Sequence, residues 1–101
     1  MSDMLEKLTA AAFAGLVGSD FRLDPAEAGI ASLRLAEAKD LTSRASGPRR
    51  APFTLLFRGP KAPVLPQRIY ALVHETLGRL EIFLVPLGPD AEGMRYEAVF
   101  N

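Results

Sequence analysis

The chain has 101 residues, 49% of them hydrophobic and 24% charged, and its 12 Lys and Arg residues are balanced by 12 Asp and Glu residues. This length and composition predict a single folded domain covering residues 1–101. Basic and acidic residues also balance within each half, seven against seven up to Arg50 and five against five after it. Proteins that bind nucleic acids or membrane surfaces need clustered Lys and Arg, so neither partner is predicted.

Cysteine is absent, which excludes disulfides, thiolate catalysis and cysteine-based metal sites. No apolar run approaches the roughly 20 residues that a membrane-spanning helix requires. The first residues include Asp3 and Glu6 and lack the basic segment and long apolar core of a secretory signal. These features predict a cytoplasmic protein.

A short helix is predicted over residues 9–17. Thr9 suits the N-cap position, and Gly18 suits the left-handed residue that follows a helix. Leu8 and Phe13 have the spacing of a hydrophobic staple, and the inner face of the helix is expected to lie on a sheet.

Two strands are predicted next, a short one over residues 21–23 and a longer one over residues 30–36, with a turn over residues 24–29. The second segment could also form a helix, because good helix formers follow Leu33. The strand is favoured, since a helix would place Leu33 and Leu35 about 200° apart on its surface. Their spacing instead matches one face of a strand.

Residues 40–52 are rich in Ser, Gly and Pro and are predicted to form an exposed loop. The loop contains Arg44, Arg49 and Arg50. These three side chains are candidates for binding an anion or an acidic partner surface, although arginines in such loops are more often simply solvated.

Residues 53–100 are predicted to form an antiparallel β-meander with strands at 53–58, 67–74, 79–86 and 94–100. The alternation of apolar and polar residues within these segments is typical of half-buried strands. Gly78 suits the loop of the central hairpin, and the proline-rich residues 60–66 suit a crossing connection. Residues 80–85 are apolar except for Glu81, which predicts a central strand covered on both faces.

The predicted fold is therefore α+β or mainly β. A short N-terminal helix packs on an antiparallel sheet of about six strands, which curls into a small, partly open barrel.

The sequence predicts no catalytic, cofactor-binding or metal-binding residues and hence a protein that is not an enzyme. His74 is the only histidine, and its neighbour Glu75 would point to the opposite face of a strand. No Gly-x-Ser-x-Gly motif is present. The acidic residues Asp20, Asp24 and Glu27 lack the spacing of a calcium loop, which favours solvated surface carboxylates.

Apolar residues also occur on the outward parity of the predicted strands, beyond what one buried face requires. These residues are Leu56, Ile69, Val73, Phe83 and Val85. The helix could cover some of them, and a partner chain could cover the rest. A non-enzymatic protein-interaction or assembly module, with a protein partner or self-association, is therefore the favoured hypothesis.

The alternative is a small-molecule-binding β-barrel. That hypothesis predicts a closed internal cavity lined by residues such as Phe57, Tyr70 and Leu72.

Several segments resemble a bacterial family of about 100 residues that is known only as a domain of unknown function. The segments are Phe53-Thr54-Leu55-Leu56-Phe57-Arg58-Gly59-Pro60, Leu65-Pro66-Gln67-Arg68-Ile69-Tyr70, Leu77-Gly78 with Ile82-Phe83-Leu84-Val85-Pro86, and Tyr96-Glu97-Ala98-Val99-Phe100-Asn101. Leu8, Thr9, Phe13, Gly18 and Phe21 fit the same pattern, so the resemblance covers nearly the whole chain. The resemblance implies no catalytic residues, and it implies an association with phage-tail-like structures.

Overall fold

The computed structural model describes residues 9–41 and 52–100. These residues form one helix, α1, and six strands, β1 to β6. Their bounds are α1 Ala10–Ala14, β1 Asp20–Glu27, β2 Ile30–Asp40, β3 Phe53–Gly59, β4 Arg68–His74, β5 Gly78–Asp90 and β6 Gly93–Phe100.

The six strands form a ring of antiparallel pairs in the order β1, β2, β3, β6, β5, β4. The ring closes between β1 and β4 through only two residue pairs, Arg22 with Val73 and Leu23 with Leu72. The structure thus confirms the predicted class, since the described residues form a mainly β fold with one short helix and an irregular small barrel.

The predicted meander is correct for β4, β5 and β6, which pair in chain order, but wrong for β3. β3 pairs with β6 along its whole length, from Phe53 opposite Phe100 to Gly59 opposite Met94. β4 instead lies between β5 and β1. Residues 60–67 carry the chain from β3 to β4 across one end of the barrel, so two strands that are consecutive in sequence are not neighbours in the sheet.

Alternation within the strands builds the core, as predicted. Phe53, Leu55 and Phe57 of β3 are buried, whereas the intervening residues are only half-buried. The same period of two places alternate side chains of the other strands inside the barrel. The core is therefore a single apolar cluster enclosed by the ring.

Helix α1 closes one end of the barrel. Its Thr9 N-cap accepts a hydrogen bond from the Ala12 amide, and its buried Phe13 ring lies 5.8 Å from the Phe53 ring and 6.0 Å from the Phe100 ring. The helix is shorter than the predicted residues 9–17, since its last helical residue is Ala14. Leu8, the predicted staple partner of Phe13, lies outside the described residues.

The opposite end is covered by the connection between β3 and β4. Leu65 in this connection is buried in the core. Its backbone amide donates a hydrogen bond of 2.9 Å to the hydroxyl of Tyr96, a fully buried residue of β6. This bond fixes the crossing loop to the barrel wall.

Two strands continue beyond their predicted ends. β1 continues through Asp24 and Pro25 to Glu27, with an irregularity between Arg22 and Glu27. β5 continues to Asp90, with an irregularity between Pro86 and Gly88. Bulges of this kind let a strand bend without ending, so residues that usually signal turns stay within the ladder.

β5 has one buried face and one exposed face, contrary to the prediction that both faces are covered. Leu80, Ile82 and Leu84 point into the core, whereas Phe83 is 49% exposed. Helix α1 packs on β2 and β3 and leaves the outer face of β5 open. Among the described residues, no helix is long and apolar enough to span a membrane.

Candidate functional site

His74 lies at the end of β4, almost fully buried, with its ring centroid 4.6 Å from that of Phe21. The Thr76 amide donates a hydrogen bond of 2.9 Å to Nδ1 of His74. On the other side of the ring, Nε2 lies 3.0 Å from the Oγ of Ser19, which precedes β1. His74 thereby ties the β4–β5 turn to the segment that leads from α1 into β1.

These contacts determine which nitrogen of the His74 ring carries the proton and where the Ser19 hydroxyl donates its own. Because Nδ1 of His74 accepts a hydrogen bond, the neutral ring carries its proton on Nε2 and donates it to Ser19. The Ser19 hydroxyl in turn donates to the Leu16 carbonyl oxygen at 2.5 Å. A serine nucleophile needs the reverse arrangement, in which the histidine accepts the serine proton. The pair is therefore built as a structural connection.

Sequence reasoning found His74 but missed Ser19, because 55 residues separate them. No local motif contains both residues, so no spacing in the sequence predicts their contact. Glu75, the neighbour considered as a possible partner, is exposed in the turn after β4.

Two of the three predicted surface carboxylates of β1 form ion pairs with arginines of β4 and β5. Asp24 contacts Arg79 at 2.9 Å, and Glu27 contacts Arg68. Within residues 9–41 and 52–100, no group of three or more acidic or histidine side chains is arranged to hold a metal ion.

An exposed apolar patch lies on the outer face of β4, β5 and β6. Ile69 and Phe83 are directly opposite one another in the β4–β5 ladder and are 62% and 49% exposed. Val85, which is half-buried, follows on β5 opposite Glu97 of β6. Val99, two residues beyond Glu97, lies diagonally from Val85 and is 54% exposed. We call Ile69, Phe83, Val85 and Val99 the outer apolar patch.

Two residues of the predicted partner surface lie outside this patch. Leu56 is half-buried on β3 between Glu37 of β2 and Glu97 of β6. Val73 is half-buried between two arginines, Arg22 of β1 and Arg79 of β5. Val99 was not predicted, although its position on the outward parity of the last strand is the signal that could have identified it.

A groove opens at the seam between β1 and β4, where the ladder stops at Leu23. Its volume is about 280 Å³, and Leu23, Tyr70, Ile69, Ala71 and Pro25 form its apolar walls. The charged side chains that line it are Asp24, Glu27, Arg79 and Glu81. The groove thus joins the outer apolar patch at Ile69.

Tyr70 lies between the barrel core and this groove. Its hydroxyl donates a hydrogen bond of 2.5 Å to the Pro66 carbonyl oxygen, and the guanidinium carbon of Arg68 lies 4.9 Å from its ring centroid. Burial raises the pKa of the Tyr70 hydroxyl above its ordinary value, so this phenol stays protonated and keeps donating.

A separate charge cluster joins the β5–β6 turn to β3. One guanidinium nitrogen of Arg58 contacts both carboxylate oxygens of Asp90, at 2.6 and 2.7 Å. The hydrogen bond from Arg58 lowers the pKa of Asp90, and the backbone amide of Glu92 adds to this effect. The same bond to Asp90 raises the pKa of Arg58. The cluster therefore connects β3 to the end of β5.

The arginines of the predicted anion-binding or acidic-partner loop, Arg44, Arg49 and Arg50, lie outside the described residues. The clustered apolar patch and the neighbouring groove are therefore the candidate functional surface of the described chain.

Comparison with known proteins gives one match. Residues 8–100 match the family described as Domain of unknown function (DUF6916). No curated protein and no solved structure shows significant similarity to the chain. Since the family match covers nearly the whole sequence and agrees with the resemblance noted above, the chain belongs to the DUF6916 family.

Proposed function

We propose that the chain is a non-enzymatic assembly module that associates with a second copy of itself through the outer apolar patch. The observation that carries this proposal is the Ile69–Phe83 pair, which places two large and largely exposed apolar side chains side by side on adjacent strands. Clustered apolar side chains on a protein surface mark interaction sites more often than isolated ones do.

The charge of the chain supports association between copies. With 12 basic and 12 acidic residues, two copies carry no net repulsion that would oppose their approach. The patch is apolar on both copies, so each patch can bury the other and remove apolar area from water. The finer proposal is a bacterial protein that assembles with a phage-tail-like structure, which rests on the family resemblance. A cytoplasmic location is proposed from the sequence of the first residues.

The chemistry at His74 agrees with a non-enzymatic role, because its two ring nitrogens are engaged in structural hydrogen bonds. The alternative of a small-molecule-binding barrel gains no specific support from the seam groove. That groove includes Tyr70 but neither Phe57 nor Leu72, both of which are fully buried in the core.

Sedimentation velocity of the full chain across a wide range of concentrations tests the proposal. We expect a concentration-dependent increase in mass for the wild type and a monomer for Phe83→Ser. Val17→Ser is the matched control, because Val17 is an apolar residue of similar exposure, 47%, that follows α1 and lies on none of the three strands of the patch. A wild-type chain that stays monomeric throughout, or equal effects of the two substitutions, would contradict the proposal.

A further inference from the structure

We propose that the seam groove binds an extended segment of a partner protein, which adds as a strand to the free edge of β4 and places a Lys or Arg side chain beside Glu81. This inference rests on the proposed role in protein assembly and specifies a second surface and the chemistry of its ligand.

The free edge follows from the strand pairing. β4 pairs with β5 along its whole length, from Arg68 to His74. On its other side, only Leu72 and Val73 have partners in β1. The backbone of residues 68–71 therefore has no ladder partner on the β1 side, and such an edge is a template for an added strand.

The opposite wall of the groove also lacks regular pairing. β1 is paired with β2 at Arg22 and again at Glu27, with an irregular stretch between them. Its pairing with β4 ends at Leu23. Residues 24–26 thus form no regular ladder with either β2 or β4. The groove lies between this stretch and β4.

The walls of the groove suit alternating side chains. Ile69 and Ala71 lie on the outward parity of β4, whereas Leu23 and Tyr70 reach the groove from the buried side. An added strand presents successive side chains to opposite faces. One face would meet Ile69, and the other would face the interior side of the seam. The volume, about 280 Å³, lies just below the roughly 300–1,000 Å³ of small-molecule pockets, so the groove has room for only a short peptide stretch.

The negative charge of the groove favours a partner segment that carries a Lys or Arg side chain. Three carboxylates, Asp24, Glu27 and Glu81, line it together with one arginine, Arg79. Asp24 and Glu27 already form ion pairs with arginines. Glu81, opposite the small Ala71 in the β4–β5 ladder, has no ion-pair partner in the described part of the chain. A cationic side chain of the added strand would supply that partner.

Panning a phage-displayed library of random short peptides against the immobilised full chain tests this inference. We expect enrichment of peptides that place a Lys or Arg near β-branched or aromatic residues. In a titration of the isotope-labelled chain with the tightest synthetic peptide, amide chemical-shift changes should centre on residues 23–27 and 68–71.

Two variants and two modified peptides sharpen the test. Glu81→Gln should weaken binding by about tenfold or more, because a charge-assisted hydrogen bond is lost. Glu97→Gln, a carboxylate substitution on the outer face of β6 away from the groove, should leave binding unchanged. N-methylation of the peptide amides that face β4 should abolish binding, whereas N-methylation of the remaining amides should weaken it far less.

The inference is wrong if no peptide is enriched over a panning against an unrelated protein, or if Glu81→Gln and Glu97→Gln behave alike. Chemical-shift changes centred on the outer face of β3 would also overturn it. Phe83 does not line the groove, so self-association that is lost in Phe83→Ser while peptides fail to bind would refute this inference and leave the proposed assembly role intact.

Discussion

At the scale of single residues, buried polar groups of this barrel act by joining segments that are far apart in the chain. The Tyr96 hydroxyl holds the crossing loop at Leu65, and the His74 ring holds the segment before β1 at Ser19. None of the buried side-chain nitrogen and oxygen atoms of the described residues lacks a hydrogen-bond partner. Removing one partner therefore leaves a buried group unsatisfied, which costs more than the net value of the bond.

Tyr96→Phe is expected to lower the free energy of unfolding by about 1–3 kcal/mol, because the buried Leu65 amide loses its acceptor. Tyr70→Phe provides the comparison, since the Tyr70 hydroxyl bonds a less buried carbonyl group and its loss should cost about 1 kcal/mol or less. Urea unfolding, monitored by far-ultraviolet circular dichroism, measures the free energy of unfolding of both variants. An equal loss in the two variants would contradict the assigned role of Tyr96.

His74→Leu is expected to destabilise the fold by about 1–3 kcal/mol, since the Thr76 amide and the Ser19 hydroxyl both lose a partner. Glu75→Gln, an exposed neighbour, should change stability by less than about 0.5 kcal/mol. Thermal and urea unfolding provide the measurement. Wild-type stability of His74→Leu would show that the histidine bridge contributes nothing to the fold.

At the scale of elements, the β5–β6 hairpin is held to β3 by a close backbone approach and by the Arg58–Asp90 pair. Gly93 begins β6 with a φ of 131°, and a Cβ atom there would collide with the carbonyl oxygen of Gly59 at the end of β3. Gly93 is therefore required for two reasons: its backbone conformation disfavours a side chain, and the Gly59 carbonyl leaves no space for a Cβ atom.

Substituting Gly93 and Gly88 separates these two requirements. Gly88→Ala introduces a side chain at a φ of 109° with nothing within 4 Å, so it should cost about 1–3 kcal/mol from backbone strain alone. Gly93→Ala should cost clearly more, because the collision with the Gly59 carbonyl adds to the strain. Denaturant midpoints of the two variants, measured side by side, test the order; a reversed order would refute the steric argument.

The Arg58–Asp90 pair predicts a specific pH dependence. The hydrogen bond from Arg58 lowers the pKa of Asp90 in the folded state. The ionised carboxylate therefore contributes its full stabilisation at pH values above the pKa of an unfolded-state Asp, about 3.9. That contribution is lost as the pH falls through the lower folded-state pKa. The stability difference between wild type and Asp90→Asn should therefore be present at neutral pH and vanish in strong acid.

Urea unfolding of both proteins across this pH range measures the effect. Asp20→Asn is the control, because Asp20 is an exposed carboxylate of β1 without an ion pair in the described part of the chain. A difference for Asp90→Asn that persists unchanged into strong acid would rule out the ion pair as its source.

At the scale of the whole molecule, the barrel is one apolar core closed at both ends, by Phe13 of α1 and by the crossing loop that contains Leu65. Four aromatic rings meet at the helix end, where Phe53 and Phe100 are stacked at 4.6 Å and Phe13 lies against both and against Phe21. The weakest part of the ring is the two-pair junction of β1 and β4, and the candidate peptide groove lies there.

Phe13→Ala is expected to destabilise the whole domain by about 3–5 kcal/mol, because it opens a cavity among these rings. Unfolding should remain a single transition, since the helix and the strands share one core. Val17→Ala is the control: Val17 is 47% exposed, and its truncation should change stability by less than about 0.5 kcal/mol. A separate early transition in Phe13→Ala would contradict the single shared core.

The sequence by itself determined the fold class, the inward and outward faces of the strands, the Thr9 cap and the five apolar residues on the outward parity: Leu56, Ile69, Val73, Phe83 and Val85. These features depend on neighbours along the chain, because alternation and capping are local properties of the backbone.

Only the tertiary structure decided that β3 lies beside β6, that Ser19 meets His74, that Leu56 and Val73 lie apart from the outer apolar patch, and that a groove opens between β1 and β4. These contacts join residues far apart in sequence. They depend on how the crossing loop and the bulges route the strands around the ring, and no local pattern encodes that route.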